Sequence, residues 1–319
     1  MPEAPRLVPP LERLLHLKRV PMLSGLTGPD LAVVADAAEE RFFPKGAVVF
    51  REGEPVGSVH FVVEGALASF RRGAQVGRLG PGAGVGGLAV FARDSLGSQV
   101  VADEDTLTLE LDADAVSEVL EDHFSILHHI LREMSRHSIE LVTRFRLDPS
   151  AGTPECPVGG AETGDIDLVG RIFFLRRMAV FQRSSITALA EVARAMAQVR
   201  FDPGTVVFRE GEEAQGIFLV RSGFLRAAGS SGVSFRPGPG FPLGALEALG
   251  ERPRWYEAVA ETPVVALQAH VGFLVDAFED HFDMAMDYIA VIAQSTLRIL
   301  DWTAARGEPP LQGLQGGAP

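Results

Sequence analysis

Val48-Val49-Phe50-Arg51-Glu52-Gly53-Glu54 returns without a change as Val206-Val207-Phe208-Arg209-Glu210-Gly211-Glu212. The offset of 158 residues also carries Gly46 to Gly204, Gly65 to Gly223, Gly82 to Gly240, Gly86 to Gly244 and Ala102 to Ala260. Glu121-Asp122-His123-Phe124 maps in the same way onto Glu279-Asp280-His281-Phe282. One constant offset held over such a distance means a duplicated domain, so whatever fold one half adopts the other must adopt too.

Within each half the hydrophobic period changes twice. Leu14, Leu15 and Leu17, then Leu31, Val34, Ala35 and Ala38, fall at helical spacing, and Pro29-Asp30 suits a helix start. From Phe42 onward short β-branched or aromatic runs alternate with glycines: Val48–Phe50, Val59–Val63, Leu67–Phe70, Val76–Leu79, Val100–Ala102 and Leu107–Leu111. Strands spaced this closely predict a compact barrel or jelly roll. From Ala115 the helical period returns, with a seam of Leu127, Leu131, Met134, Ser138, Leu141 and Phe145. The second copy carries Phe282, Met286, Ile289, Ala293, Thr296 and Leu300 in the same role. Such a seam packs on its own barrel or on a partner helix, which would make a homodimer through the closing helices.

The fold class expected is therefore α+β: two tandem β-roll, jelly-roll-like domains, each flanked by N-terminal helices and a long C-terminal helix. The boundaries expected are domain 1 over 11–147, a Pro/Gly-rich linker over 148–167, domain 2 over 168–303 and a disordered tail over 304–319.

The net charge of −13 repels phosphate backbones, so nucleic acid is not an expected partner. After Trp302 seventeen residues follow, rich in Gly and Pro, so no helix-turn-helix is expected in them. The single cysteine, Cys156, forms no internal disulfide or cysteine metal cluster. No signal peptide or membrane-spanning run stands out, so a cytoplasmic location without a membrane partner is expected.

The duplicated unit resembles the cyclic nucleotide-binding domain family. Phe43-Pro44-Lys45-Gly46, Glu52-Gly53-Glu54, Phe61-Val62-Val63-Glu64-Gly65 and Leu79-Gly80-Pro81-Gly82 carry the likeness in copy one. Phe201-Asp202-Pro203-Gly204, Glu210-Gly211-Glu212, Leu219-Val220-Arg221-Ser222-Gly223 and Pro237-Gly238-Pro239-Gly240 carry it in copy two. The resemblance implies a β-roll with a phosphate-binding cassette. In that cassette a Gly-Glu-(Leu or Ala)-Ala motif opens a short helix, its glutamate takes the ribose, and the arginine of a Pro-Arg-Ala-Ala run takes the phosphate.

Both cassettes depart from this pattern. Copy one reads Gly86-Gly87-Leu88-Ala89, with Gly87 at the glutamate position and Leu96 at the arginine position. Copy two reads Gly244-Ala245-Leu246-Glu247, with Ala245 for glutamate, but it keeps Pro253-Arg254 followed by Trp255. Arg254 is thus the anchor the resemblance carries over. The competing reading pairs it internally with Glu247, Glu251 or Glu257. Trp255 either stacks on a base or packs into the core. Two lost anchors cost copy one ~3–6 kcal/mol, which turns a micromolar site into a millimolar one.

Other motifs have ordinary explanations. Gly82-Ala83-Gly84-Val85-Gly86-Gly87 matches a dinucleotide fingerprint without the βαβ context that it requires. His129, Glu133 and His137 share a helical face that is expected to be solvated rather than metal-binding. His123 and His281 are expected to cap or pack the closing helices. Arg71-Arg72-Gly73-Ala74 and Arg176-Arg177-Met178-Ala179 look like kinase pseudosubstrates. No catalytic pair, metal site or cofactor is expected.

The function expected is a non-catalytic regulatory protein with an unidentified protein partner, whose second domain senses cAMP, cGMP or another small anion. The alternatives are a ligand-free interaction scaffold and, third, a kinase-regulatory subunit. The scaffold reading requires Arg254 paired to a protein carboxylate with a side chain filling the pocket.

Overall fold

The computed structural model describes residues 8–71, 73–93, 99–149 and 164–306. Copy one begins with two leader helices, α1 (Pro10–Lys18) and α2 (Gly28–Ala37). Eight strands follow: β1 (Glu39–Phe43), β2 (Val48–Phe50), β3 (Ser58–Glu64), β4 (Leu67–Arg71), β5 (Ala74–Leu79), β6 (Gly84–Val85), β7 (Gln99–Ala102) and β8 (Thr106–Asp112). A short helix α3 (Gly87–Ala92) lies between β6 and β7, and α4 (Ala113–Asp122) and α5 (Phe124–Phe145) close the copy.

Copy two repeats the order. Its leader helices are α6 (Leu168–Arg177) and α7 (Ile186–Ala195). Its strands are β9 (Ala197–Phe201), β10 (Val206–Phe208), β11 (Gly216–Ser222), β12 (Leu225–Ala228), β13 (Ser234–Phe235), β14 (Pro242–Leu243), β15 (Glu257–Ala260) and β16 (Val264–His270). The short helix α8 (Ala245–Leu249) sits between β14 and β15, and α9 (Val271–Asp280) and α10 (Phe282–Ala305) end the copy.

Each roll consists of two four-stranded antiparallel sheets, in the orders β1-β8-β3-β6 and β2-β7-β4-β5, and β9-β16-β11-β14 and β10-β15-β12-β13. Even the irregularities recur: bulges lie at Val48/Phe50 and Val62/Glu64, and again at Val206/Phe208 and Val220/Ser222. Duplication is therefore visible in the hydrogen-bond ladder as well as in the residues. All six strand runs expected in copy one are present; β1 and β6 are additional. β1 is largely exposed and lacks clean alternation, and β6 has only two residues, so neither produces a periodic signal.

The first roll closes over Val62, Leu67, Leu79, Ala83, Val100 and Ala102, with Phe43, Val49 and Phe50 packed against them. Gly65 and Gly223 are where another residue would not fit. Both have positive φ, and a Cβ would stand 2.3 Å from the carbonyl oxygen of Asp105 or 2.2 Å from that of Pro263.

The helix starts follow from side-chain caps, again in register. Thr27 and Ser185 accept from the amides of Asp30 and Ala188. Asp112 accepts from Ala115, and His270, at the equivalent position, accepts from Gly272. His123 and His281 end α4 and α9, and their carbonyls accept from the amides of Ile126 and Leu127 in α5 and of Met284 and Ala285 in α10. His281 Nε2 also lies 2.9 Å from Glu191.

By packing, the chain divides into one unit of Met1–Ile130 with Thr296–Pro319 and a second of Leu131–Ser295. The C-terminal part of α5 thus belongs with the second roll, where Arg136 Nε donates to the Gly250 carbonyl at 2.7 Å. The end of α10 belongs with the first, where Arg71 Nε lies 2.6 Å from Asp301. Among the described residues no helix is long and apolar enough to cross a membrane.

Candidate functional site

In copy two, Gly244 ends β14 in a left-handed conformation, and α8 begins at Ala245. This geometry brings the Gly244 carbonyl towards Arg254, which lies in the connection between α8 and β15. The guanidinium is 4% exposed and fully engaged on one side. Its Nη1 donates to the Gly244 carbonyl at 2.9 Å and to Glu247 Oε1 at 3.2 Å. Its Nη2 donates to the Gly216 carbonyl at 2.5 Å, and Cζ lies 4.2 Å over the Phe208 ring. A Cβ on residue 244 would stand 2.2 Å from Nη1, so glycine there also makes room for the arginine. Arg254 Nε is buried without a hydrogen-bond acceptor.

Glu247 is 1% exposed, on the inner side of α8. Burial pushes its carboxyl above the ordinary carboxylate range, and the charge of Arg254 works against that push. Two oppositely charged groups, each almost wholly removed from water, hold one another in place.

An aromatic cluster occupies the adjoining space. Tyr256 is 2% exposed, and its ring lies 5.3 Å from Phe208, 5.0 Å from Phe235 and 4.6 Å from Trp255. Its hydroxyl accepts from the Gly244 amide at 3.2 Å, and burial raises its pKa well above the ordinary phenol value. Trp255 stacks on Phe235 with ring centroids 5.9 Å apart. The structure thus brings Gly244, Ala245, Arg254 and Trp255 together; Ala245 is buried, Leu246 half-buried and Pro253 exposed.

Tyr256, Phe208 and Gly216 are parts of this site that the sequence reading did not single out. The signal for Tyr256 was there: Trp255-Tyr256 stand where the resemblance has Ala-Ala after Pro-Arg. Two small residues replaced by two large aromatic ones change the volume of a pocket.

Copy one has a different interior. Gly86 caps α3 in the left-handed conformation; Gly87 and Leu88 are half-buried and Ala89 is buried. Leu96 lies outside the described residues, as does Cys156. Beside this cassette stands His60, 3% exposed, between the rings of Phe43 and Phe50 at 5.4 and 5.3 Å. Its Nε2 lies 3.0 Å from Ser58 Oγ and its Nδ1 3.0 Å from Thr108 Oγ1. Burial pulls its pKa down to about 4, with Glu110 pulling the other way from 3.6 Å. Copy two places Phe218 at this position, between Phe201 and Phe208.

The expectation of a solvated His129 face is corrected. His129 is 5% exposed, its Nε2 lies 3.0 Å from the Met22 carbonyl, and its ring lies against Gly25, where a Cβ would come within 2.5 Å. Burial also lowers the pKa of His137 to about 4. The segment after α1 covers His129, a neighbour that helical spacing alone does not reveal. Among the described residues no group of three or more His, Cys, Asp or Glu is placed to hold a metal.

Among the described residues, neither pseudosubstrate-like stretch shows an arginine that is both exposed and extended. Arg71 is a buried residue of β4, Arg72 lies outside the described residues, and Arg176 and Arg177 form the last turn of α6.

The family model described as "Cyclic nucleotide-binding domain" matches residues 40–123 and 198–281. The chain belongs to the cyclic nucleotide-binding domain family. The glycine-rich run Gly82–Gly87 leads into a short helix within an antiparallel roll, not into a dinucleotide-binding βαβ unit.

Among curated relatives, a Rhodopseudomonas palustris protein described as a potassium channel protein is 37% identical over 98 residues, 30% of this chain and 24% of its own. The cGMP-dependent protein kinase egl-4 of Caenorhabditis elegans is 25% identical over 226 residues, 69% of this chain and 24% of its own. The chain spans about a quarter of the length of these relatives. Among solved structures, the regulatory subunit of a cAMP-independent protein kinase A from Trypanosoma brucei matches at 18% identity with a TM-score of 0.34, over 95% of each chain. The cAMP-bound regulatory domain of Toxoplasma gondii PKA matches at 17% identity with a TM-score of 0.33, over 93% of this chain and 97% of its own.

Proposed function

We propose that this chain is a non-catalytic regulatory protein whose second cassette is closed by its own side chains, and that it acts as an interaction scaffold rather than as a cyclic nucleotide sensor. The observation that carries the proposal is the buried Arg254–Glu247 pair at 3.2 Å. Glu247 takes a donor of the guanidinium, Nη1, for which a cyclic phosphate would have to compete. A ligand phosphate must therefore break the pair and then lie beside a buried carboxylate of like charge.

Removing one partner from a buried pair costs about 3–5 kcal/mol. A micromolar site is worth about 8 kcal/mol, so such a site falls to the millimolar range. Tyr256 and Trp255 add the cost of reopening a packed aromatic cluster. The duplication supports the same reading: Ala89 and Leu96 stand in copy one where Glu247 and Arg254 stand in copy two. Both members of the pair are present together or absent together, as an internal ion pair requires. A ligand-binding arginine has no such need of Glu247.

Calorimetric titration of the full chain with cAMP and with cGMP tests this. The expected result is no saturable heat below about 1 mM, with thermal stability unchanged by either nucleotide. A micromolar isotherm that disappears in Arg254→Ala and persists in Leu96→Ala would overturn the closed-pocket reading and restore ligand sensing by copy two.

A further inference from the structure

Four of the nine large apolar side chains left exposed among the described residues lie on the leader helices, in matching places. On α1 these are Leu11, 68% exposed, and Leu15, 56% exposed. On α6 they are Val169, 56% exposed, and Phe173, 68% exposed. Four residues further on, both helices present an exposed arginine, Arg19 and Arg177. The offset between the two sets is the same 158 residues that relates the copies.

Positions i, i+4 and i+8 of a helix lie along one ridge about 12 Å long. Arg19 keeps helical angles as the C-cap of α1, so it continues the ridge, and Arg177 is the last residue of α6. The ridge is not the face that builds the fold, since α1 buries Leu17 and α6 buries Phe174 and Leu175 instead. Neither Arg19 nor Arg177 has a side-chain partner among the described residues. Two apolar residues followed by a free cation, exposed twice in one chain at the same register, form a surface with a defined order of chemistry.

We infer that each leader helix is a docking ridge for an amphipathic helix of a protein partner, with apolar residues at four-residue spacing and a carboxylate placed to meet Arg19 or Arg177. An i±4 ridge packs against another i±4 ridge, which selects a helix as the occupant. Charge selects against a second copy of this chain, because parallel ridges would bring arginine towards arginine and antiparallel ones would set each arginine against the apolar end, with no ridge carboxylate to meet it. A lipid surface is a poorer match, since each ridge offers one cation on a chain of net charge −13. The inference extends the scaffold role proposed above by naming the class of partner. It uses no cassette residue, so the nucleotide titration and the experiment below fail independently.

The experiment titrates the full chain with a labelled helical peptide of about 20 residues, enough for a stable helix. The probe carries leucines at four-residue spacing and one glutamate in the same face, and a control probe carries lysine in its place. The expected result is two sites per chain in wild type, one in Leu15→Ser or Phe173→Ser, and none in the double variant. All of these positions are exposed, so circular dichroism is expected to show an unchanged fold. The paired variant Arg19→Glu with Arg177→Glu is expected to shift preference from the glutamate to the lysine probe by about tenfold or more.

Equal binding of the two probes to wild type, an unchanged stoichiometry in the double variant, or no binding below about 1 mM each overturns the proposal. So does self-association of the wild-type chain that Phe173→Ser dissolves, which would assign the ridge to a second copy. Co-sedimentation with anionic vesicles that the double variant abolishes would assign it to a membrane instead.

Discussion

Replacing His60 with phenylalanine gives copy one the residue that copy two already holds at the same place, Phe218. Both residues sit between two phenylalanines, so the ring stack is retained while two polar contacts are lost. The consequence is a change in how stability depends on pH. His60 is pulled from the usual 6.5 to about 4 because burial disfavours the imidazolium. Between those values the unfolded chain takes up a proton that the folded chain refuses. The unfolded state then binds more protons, so stability falls as pH falls from about 6.5 towards about 4.

A full shift of this size is worth about 3 kcal/mol, and about 2 kcal/mol of it is already lost by pH 5. In His60→Phe that part of the slope is expected to vanish. His137, which carries a similar shift, contributes equally to both proteins and cancels in the difference. The substitution leaves Ser58 and Thr108 each without one partner, which costs about 1 kcal/mol apiece near neutral pH. The variant should therefore start less stable and lose less on acidification. Paired urea titrations at about pH 7.5 and pH 5 measure both effects, and the ring titration of His60 followed by NMR checks the cause. A His60 midpoint between 6 and 7, or wild-type and variant slopes that agree, would refute the reasoning.

Glu247→Gln probes the other buried titratable group. The Glu247 carboxyl is raised, so the folded protein holds a proton that the unfolded chain releases as pH climbs past about 4.5. Its contribution to stability thus decreases with rising pH across that window, and the glutamine variant should lack this decrease relative to wild type when melts are compared across it. Gly65→Ala and Gly223→Ala should each cost several kcal/mol in urea titrations, because the new Cβ meets a backbone oxygen at 2.3 or 2.2 Å and the backbone is left-handed. A loss under 1 kcal/mol at either position would mean that the tight approach relaxes freely. Arg136→Ala removes the donor to the Gly250 carbonyl at the end of α8. Because Arg136 is partly exposed, the expected loss is about 1 kcal/mol, with faster amide exchange confined to the residues around Gly250.

The duplication, the strand runs, the order of helices and strands, and the family were all legible in the residues. These properties depend on local spacing and on patterns that repeat, and a period of two or of three to four residues survives whatever packs against it. The absence of cassette glutamates at Gly87 and Ala245 was legible for the same reason, since it is a matter of position in a motif. Even Glu247 could be named as one of three candidate partners for Arg254, because all three stand within a few residues of it.

Tertiary packing alone decided which candidate Arg254 takes and what encloses it. Gly216 lies thirty-eight residues away and Phe208 forty-six, and only the closure of the roll brings a carbonyl and a ring to the guanidinium. Tyr256 becomes a buried residue because β15 follows directly and turns it inward onto Phe208 and Phe235. His129 looked like part of an open face until the loop at Met22–Gly25 covered it. The leader-helix ridges show the converse: Leu11, Leu15, Val169 and Phe173 have core chemistry, and only the packed structure leaves them uncovered. Burial is a property of what arrives from elsewhere in the chain, and no local pattern contains it.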